Sequence, residues 1–358
     1  MTPCLVLDIN ALEANIRAMS DHCRSHGFAL RPHAKTHKCV EIARRLQLAG
    51  AAGICVANIG EAEIFAAGGI SDILVTSPLV SEAKFERLAR LLRQGNRVSI
   101  VVDNRDAAKR LGEFADQSEL GLDVLLDIDM GRHRTGVGTM EAAIELARFL
   151  ASHGRLTFAG LQAYAGHLSH VPDHDERLAG GRLAAVRIAE IVASLTADGI
   201  CVERISGGST GTLFIDAELK LYTELQYGSY VFMDVEYDAV ALDRLGRAPF
   251  LPSLFVRTSV ISNNWLGMAT TDAGFKHFSG NKALPEIVSP KGLGRYEPRS
   301  DEHGAVHLSD DRRHLALDEG MECQIPHCDP TVNLYDRYHV VDGEMLVDIW
   351  KVDARGAM

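Results

Sequence analysis

About eight times between residues 27 and 232 the chain repeats one pattern, a short apolar run followed by a stretch with helical spacing. The runs fall at 27–30, 53–58, 72–76, 97–103, 122–129, 156–164, 202–206 and 225–232. Helical spacing occupies 40–46, 61–67, 81–94, 105–115, 140–152 and 178–197 between them. The runs lack polar alternation, as expected of strands covered on both faces. Eight strand–helix units in roughly 220 residues are the size of a (β/α)8 barrel of the TIM type. The competing arrangement is a doubly wound open sheet, but no Gly-x-Gly-x-x-Gly follows an early strand. Ahead of the repeat, residues 4–8 read as a strand, and Asn10 is expected to cap a helix with Leu12, Ile16 and Met19 on one face.

The pattern stops near Asp238. Pro249, Pro252, Pro285, Pro290, Pro298, Pro326 and Pro330 then punctuate short β-like runs at 253–261, 266–271 and 338–341. The expected organisation is an α/β barrel over 9–238 and a C-terminal antiparallel β domain over 239–358, to which residues 1–8 add a strand. Lys+Arg 37 against Asp+Glu 48 leaves a net charge of −11, which excludes a general nucleic-acid binder with a basic face. An anion site must therefore be a local pocket. No apolar run approaches the roughly 18 residues of a membrane span. The N-terminus does not read as a signal peptide. Seven cysteines are scattered without a CxxC, so neither a disulfide framework nor a zinc knuckle is expected, and the default compartment is a reducing cytoplasm.

Chemistry-bearing residues collect at the carboxyl ends of the expected strands, where barrels place their sites. Arg31-Pro32-His33-Ala34-Lys35-Thr36-His37-Lys38 crowds two histidines, two lysines and an arginine into eight residues. Neighbouring positive charge lowers a lysine pKa toward the free amine that Schiff-base chemistry requires, which makes Lys35 a candidate and predicts a depressed pKa. Asp129 with Gly131-Arg132-His133-Arg134, and Tyr164 with His167, follow later strands. Arg134 is suited to a carboxylate or a cofactor oxygen, and Tyr164 and His167 to packing on a planar ring. Ser206-Gly207-Gly208-Ser209-Thr210-Gly211-Thr212 offers close backbone approach and hydroxyl donors to a phosphate, and Gln226-Tyr227-Gly228-Ser229-Tyr230 is a second such loop. Neither is a Walker pattern. In Pro326-His327-Cys328-Asp329-Pro330, an extended backbone would put His327 and Asp329 on one face, a reasonable pair for a divalent cation. Asp301, Glu302 and His303 form a further polar cluster, and Asp272 and Lys276 are polar candidates of a structural kind.

Residues 2–8, 31–38, 207–212, 226–230 and 327–333 together resemble the D-threonine aldolase/D-serine dehydratase group, within the alanine-racemase-like, fold-type III pyridoxal-phosphate enzymes. The resemblance implies a PLP-binding barrel, a C-terminal β domain and a homodimer. It matches Lys35 to the Schiff-base lysine, and Arg134 and Tyr164 to residues around the cofactor. Gly207, Gly208, Ser209 and Thr210, with Gly228 and Ser229, match the phosphate cradle, and His327 and Asp329 match the metal pair. The dehydratases usually carry cysteine two residues after the histidine. Asp329 stands there in this chain, as in the aldolases, and a hard oxygen ligand favours Mn²⁺ or Mg²⁺ over Zn²⁺. The implied activity is retro-aldol cleavage of a small D-3-hydroxy amino acid to glycine and an aldehyde, with a metal-activated water or an imidazole such as His303 taking the hydroxyl proton. Elimination to a keto acid and ammonia is the enzymatic alternative, 3-hydroxy-D-aspartate aldolase a second, and a PLP carrier the non-enzymatic one. The His-Cys-Asp-Pro-Thr string does not fix the substrate.

Overall fold

The computed structural model describes residues 1–246, 248–280 and 283–358. Among them eight parallel strands lie in the order Ala29–Leu30, Glu224–Leu225, Ile205–Gly207, Leu156–Ala163, Leu122–Asp127, Arg97–Val102, Asp72–Val75 and Ile54–Val56. The first and last of these are joined just beyond Leu30, where Pro32 O accepts from Cys55 N at 2.9 Å and Ala34 N donates to Cys55 O at 2.7 Å. The ring is thus closed by the residues that immediately precede Lys35.

Alternation along each strand divides the side chains between the surrounding helices and the lumen. Ile54, Val56, Ile73, Val75, Ile100, Val102, Val124 and Leu126 face the helices and belong to the main apolar core. Cys55, Leu74, Val101 and Leu125, one from each of the same four strands, form a separate buried cluster inside the ring, with Ala159 against it. The other half of the lumen is polar. Gln162 Nε2 donates to Asp127 Oδ1 at 2.9 Å, Gln226 Nε2 to Ser206 Oγ at 3.0 Å, and Ser206 Oγ to Glu224 Oε1 at 2.6 Å. Glu224 also holds Arg31 Nε at 2.9 Å and Arg204 Nη2 at 2.7 Å. Burial pushes the Glu224 carboxyl up, but the Arg31 and Arg204 guanidiniums outweigh it and hold it below the usual range.

The surrounding helices follow from ordinary local signals. Glu82–Arg93 buries Phe85, Leu88, Ala89 and Leu91 on one stripe. Arg105–Ser118 starts where Asn104 Oδ1 accepts from the N–H groups of Asp106 and Ala107. The first helix, Ile9–His26, is capped by Asp8, whose carboxylate accepts from Asn10 N and Ala11 N; the cap expected at Asn10 lies two residues earlier. The expected strand at 225–232 shrinks to Glu224–Leu225, because Ser229–Val231 coils into a single 3₁₀ turn. Two short helices not foreseen, Leu213–Leu219 and Val235–Asp238, follow the glycine-bearing loops.

Among the described residues a second sheet of nine strands is largely antiparallel. Its centre is Leu254–Trp265, which pairs with Met268–Thr271, with Gly320–Gln324 and with Cys4–Asp8. Cys4–Asp8 also lies parallel to Arg337–Asp342, so the N-terminal strand is enclosed on both edges. The last residues return to the barrel. Ala354 N donates to Lys38 O at 2.9 Å, Val40 N to Asp353 Oδ2 at 2.8 Å, and Tyr338 OH to His37 O at 2.6 Å. All seven cysteines are free thiols. Among the described residues no helix is long and apolar enough to cross a membrane.

Candidate active site

A cavity of about 250 Å³ opens at the carboxyl end of the barrel strands. Lys35, Arg134, Tyr164, Gly208, Ser209, Thr210, Gly228 and Ser229 all line it, together with Gln162, Gln226 and Tyr237. Gln162 lies within the strand Leu156–Ala163 and Tyr237 on the helix Val235–Asp238; the others are delivered by the segments that follow barrel strands. Asp129 shapes the loop that carries Arg134: its Oδ1 accepts from the N–H groups of Gly131, Arg132 and His133, each at 3.0 Å. The Arg134 guanidinium then lies 5.6 Å from the centre of the Tyr164 ring, a cation–π distance.

One end of the cavity is a hydroxyl-lined cradle. Gly208 has φ +82°, and a Cβ there would stand 2.6 Å from Tyr227 Cε1 and 2.7 Å from Asp216 Oδ2. A Cβ on Gly228 would meet Thr36 Oγ1 at 2.5 Å and the His33 carbonyl at 3.0 Å. Glycine at both places leaves the backbone accessible beside the hydroxyls of Ser209, Thr210, Ser229 and Thr36. Beneath it, Asp216 Oδ2 accepts from Thr212 Oγ1 at 2.5 Å and Tyr227 OH at 2.8 Å, and burial pushes its carboxyl up to about 7.

At the other end Lys35 Nζ stands 3.2 Å from Asp329 Oδ1, a buried oxygen with no hydrogen bond. Asp329 raises the Lys35 pKa above its ordinary value, against a lowering by burial and by Arg134. The depressed amine expected from the basic segment is therefore not found, because those cations do not face one another. Arg31 turns to Glu224 and Asp72, and Lys38 to Glu61 at 2.9 Å. His33 and His37 are buried, and burial holds His33 well below the ordinary range and His37 at about 3, so both are neutral.

The segment 326–330 is not extended. His327 has extended backbone but serves as the N-cap residue of a short helix, Cys328–Val332. His327 and Asp329 converge nonetheless, with Nε2 to Oδ2 at 3.8 Å. Three residues that the sequence did not single out, His170, Glu236 and Asp234, lie around His327. His170, Glu236 and His327 each present a ligand atom, all within 4.8 Å of one another. Asp234 is fully buried, and its Oδ2 accepts from His327 Nδ1 at 3.0 Å. A His three residues beyond His167 on the same loop was the signal available for His170; for Asp234 and Glu236 there was only their place after the Gly228 loop.

Four candidates stand elsewhere. Ser206 lies under the floor, bonded to Glu224 and Gln226. The Tyr230 ring is fully buried against Phe250, while its N–H supports the cradle by donating to Thr210 Oγ1 at 3.1 Å. His167 is exposed beside Gly131 and outside the cavity lining. His303 is exposed on the turn before the strand Gly304–Leu308, its ring 3.2 Å from Ser300 Oγ. Lys276 pairs with Glu302 at 2.5 Å, while Asp272 accepts from Thr2 Oγ1 and Thr258 Oγ1 at 2.6 Å each.

The donor sets fit two groups. The glycine-and-hydroxyl cradle, the Tyr164 ring, Arg134 and one reachable amine suit a planar phosphorylated aldehyde. Imidazole and carboxylate around His327 suit a divalent cation.

Comparison with known proteins agrees with this architecture. Residues 7–236 match the alanine racemase N-terminal domain, and residues 253–341 match a putative serine dehydratase domain. A 3-hydroxy-D-aspartate aldolase of Paracoccus denitrificans strain Pd 1222 is 38% identical over 99% of this chain and 92% of its own length. A D-threonine aldolase of an Arthrobacter species is 39% identical over 99% of this chain and 93% of its own. The crystal structure of a D-threonine aldolase from Filomicrobium marinum superposes with a TM-score of 0.94 at 36% identity, covering 100% of this chain and 96% of that one. The chain belongs to the D-threonine aldolase/D-serine dehydratase-like family of lyases, which share the alanine racemase fold.

Proposed function

We propose that the protein is a D-threonine aldolase-type lyase that cleaves D-3-hydroxy amino acids to glycine and an aldehyde, with pyridoxal phosphate on Lys35 and a divalent cation at His327 and Asp329. When bound, pyridoxal phosphate supplies an electron sink for the pair released as Cα–Cβ breaks, and the cation a Lewis acid for the 3-hydroxyl. The observation that carries the reading is the placement of Lys35 3.2 Å from Asp329, in a cavity that the Gly208 and Gly228 loops also line.

The protein's own groups divide the remaining work. Ser209, Thr210, Ser229 and the backbone at Gly208 and Gly228 hold the phosphate. Tyr164 and Arg134 cover the ring, the guanidinium within 5.6 Å of the phenol ring centre. His170 replaces His303 as the imidazole that takes the 3-hydroxyl proton, since it is His170 that the fold brings within reach of His327 and Glu236. Carboxylate at 329 favours Mn²⁺ or Mg²⁺. Tyr237 walls the cavity beside the metal pair, its ring centre 6.4 Å from that of His327.

Elimination to a keto acid and ammonia is the second reading, supported by the serine dehydratase domain match. Incubation with D-threonine, D-serine and 3-hydroxy-D-aspartate, with and without chelator, separates the two by product. Glycine plus aldehyde, lost on chelation and restored by Mn²⁺, is expected. Ammonia and a keto acid would replace the aldolase reading, and borohydride reduction that leaves no pyridoxyl group on Lys35 would remove both.

A further inference from the structure

Asp234 touches neither end of the cavity, yet its carboxylate gathers three donors around His327. Oδ2 accepts from His327 Nδ1 at 3.0 Å and from Cys328 N at 2.9 Å, and Oδ1 accepts from Tyr237 N at 2.9 Å. The last bond caps the short helix Val235–Asp238, which presents Glu236 and Tyr237 to the site. Two backbone bonds lock the same pair of segments, Val235 N to Ile325 O at 3.1 Å and Glu236 N to Pro326 O at 3.2 Å. Asp234 itself is wholly buried.

We infer that Asp234 is a positioning residue for the metal centre: it fixes the His327 proton on Nδ1 and so leaves the Nε2 lone pair facing Asp329. A carboxylate can only accept, so the ring nitrogen beside it must donate. In the neutral ring that coordination requires, the other nitrogen is then the unprotonated one, and it lies 3.8 Å from Asp329 Oδ2. Asn at 234 has one acceptor oxygen and one donor amide for the same three neighbours. The backbone N–H groups of Cys328 and Tyr237 cannot become acceptors, but imidazole can. In either orientation the amide nitrogen costs one of these bonds: on the Oδ2 side it leaves Cys328 N without an acceptor and donates to His327 Nδ1, which moves the ring proton to Nε2, and on the Oδ1 side it leaves Tyr237 N without its acceptor and loosens the helix cap.

The inference rests on the metal reading above, and the test separates the two. Full-length holoenzyme, stripped of metal by chelator, is titrated calorimetrically with Mn²⁺ as parent, Asp234→Asn and His327→Ala. Expected are binding by the parent, none by H327A, and D234N weakened about 10- to 100-fold with an unchanged circular dichroism spectrum. D234N within about twofold of the parent, with H327A inactive in binding, would overturn the role of Asp234 alone. A parent that binds no Mn²⁺ would overturn the metal reading and this inference with it. Should D234N not fold, the parent decides: in ¹⁵N-histidine spectra of the zinc-loaded holoenzyme, assigned through H327A, the His327 proton on Nδ1 supports the inference and a proton on Nε2 refutes it.

Discussion

A carboxyl group under a loop proposed to hold a phosphate is an electrostatic contradiction unless it is neutral, and Asp216 offers a way to measure this. Its Oδ2 lies 2.7 Å from where a Cβ of Gly208 would be, directly below the cradle. Burial raises its pKa from 3.8 to about 7, against the opposing hydrogen bonds from Thr212 and Tyr227. Between those two values the folded state binds more protons than the unfolded state. Stability therefore falls as pH rises through the window, and the loss is complete above about pH 7. A displacement of about three units corresponds to about 4 kcal/mol at full ionisation, and about two of those units lie between pH 5 and pH 8. Asp216→Asn keeps an acceptor for both hydroxyls and cannot ionise. Urea unfolding at pH 5 and pH 8 should show the parent losing about 3 kcal/mol relative to D216N across that interval. Any pH-independent difference between Asn and Asp cancels in this comparison. Parallel stability profiles for the two proteins would show that the Asp216 pKa is not raised by folding, and would refute the reasoning.

Two further substitutions test the lumen and the chain ends. Glu224→Gln removes the carboxylate shared by Arg31 and Arg204, leaving buried positive charge short of a partner; it should cost about 3–5 kcal/mol in urea unfolding, and a loss below about 1 kcal/mol would show that Asp72 alone satisfies Arg31. Asp353→Ala deletes the acceptor for Val40 N, standing in for a cap that Cys39 does not supply from its own side chain; a loss of about 1 kcal/mol is expected, with hydrogen exchange faster in Val40–Leu48, and unchanged exchange there would refute the capping role.

The barrel was legible because its outer positions obey local rules. Residues such as Ile73, Val75, Ile100 and Val102 announce strands through apolar runs, and Phe85 and Leu88 announce a helix through their spacing. The cradle was legible for the same reason, since Gly208 and Gly228 mark loops where backbone must stay accessible. What failed was charge counted along the chain in place of charge in space. Arg31 meets Glu224 across 193 residues, and Lys38 meets Glu61, so the apparent cation cluster around Lys35 dissolves once the strands close. Lys35 in turn meets Asp329 from the far end of the sequence. The same limit explains His303, which sits near acidic residues in sequence but on an exposed turn, while His170 reaches the site through the loop after Leu156–Ala163. His327 and Asp329 do approach each other, but not through the extended backbone expected of them. Their convergence comes from what holds each side chain: Asp234 on the imidazole, and Lys35 with Thr36 on the carboxylate.

The second sheet has a role at the site beyond carrying His327 and Asp329. The Lys35 segment closes the barrel through Pro32 and Ala34, yet it contributes only a two-residue strand, Ala29–Leu30, to the ring. Such a short strand cannot hold the following loop in one place by itself. Beyond the barrel bonds of His33 and Ala34, further anchors on the residues after Lys35 come from residues 338, 353 and 354: Tyr338 OH on the His37 carbonyl, Asp353 on Val40 N, and Ala354 N on the Lys38 carbonyl. Those residues are anchored in turn, since Arg337–Asp342 lies against Cys4–Asp8, the strand that leads directly into the first barrel helix. A fixed amine within 3.2 Å of Asp329 is therefore a property of both sheets closed on each other. Loosening the return of the chain end should displace Lys35 before it unfolds the barrel, because the strands from Ile54–Val56 round to Ile205–Gly207 pair over three residues or more without it.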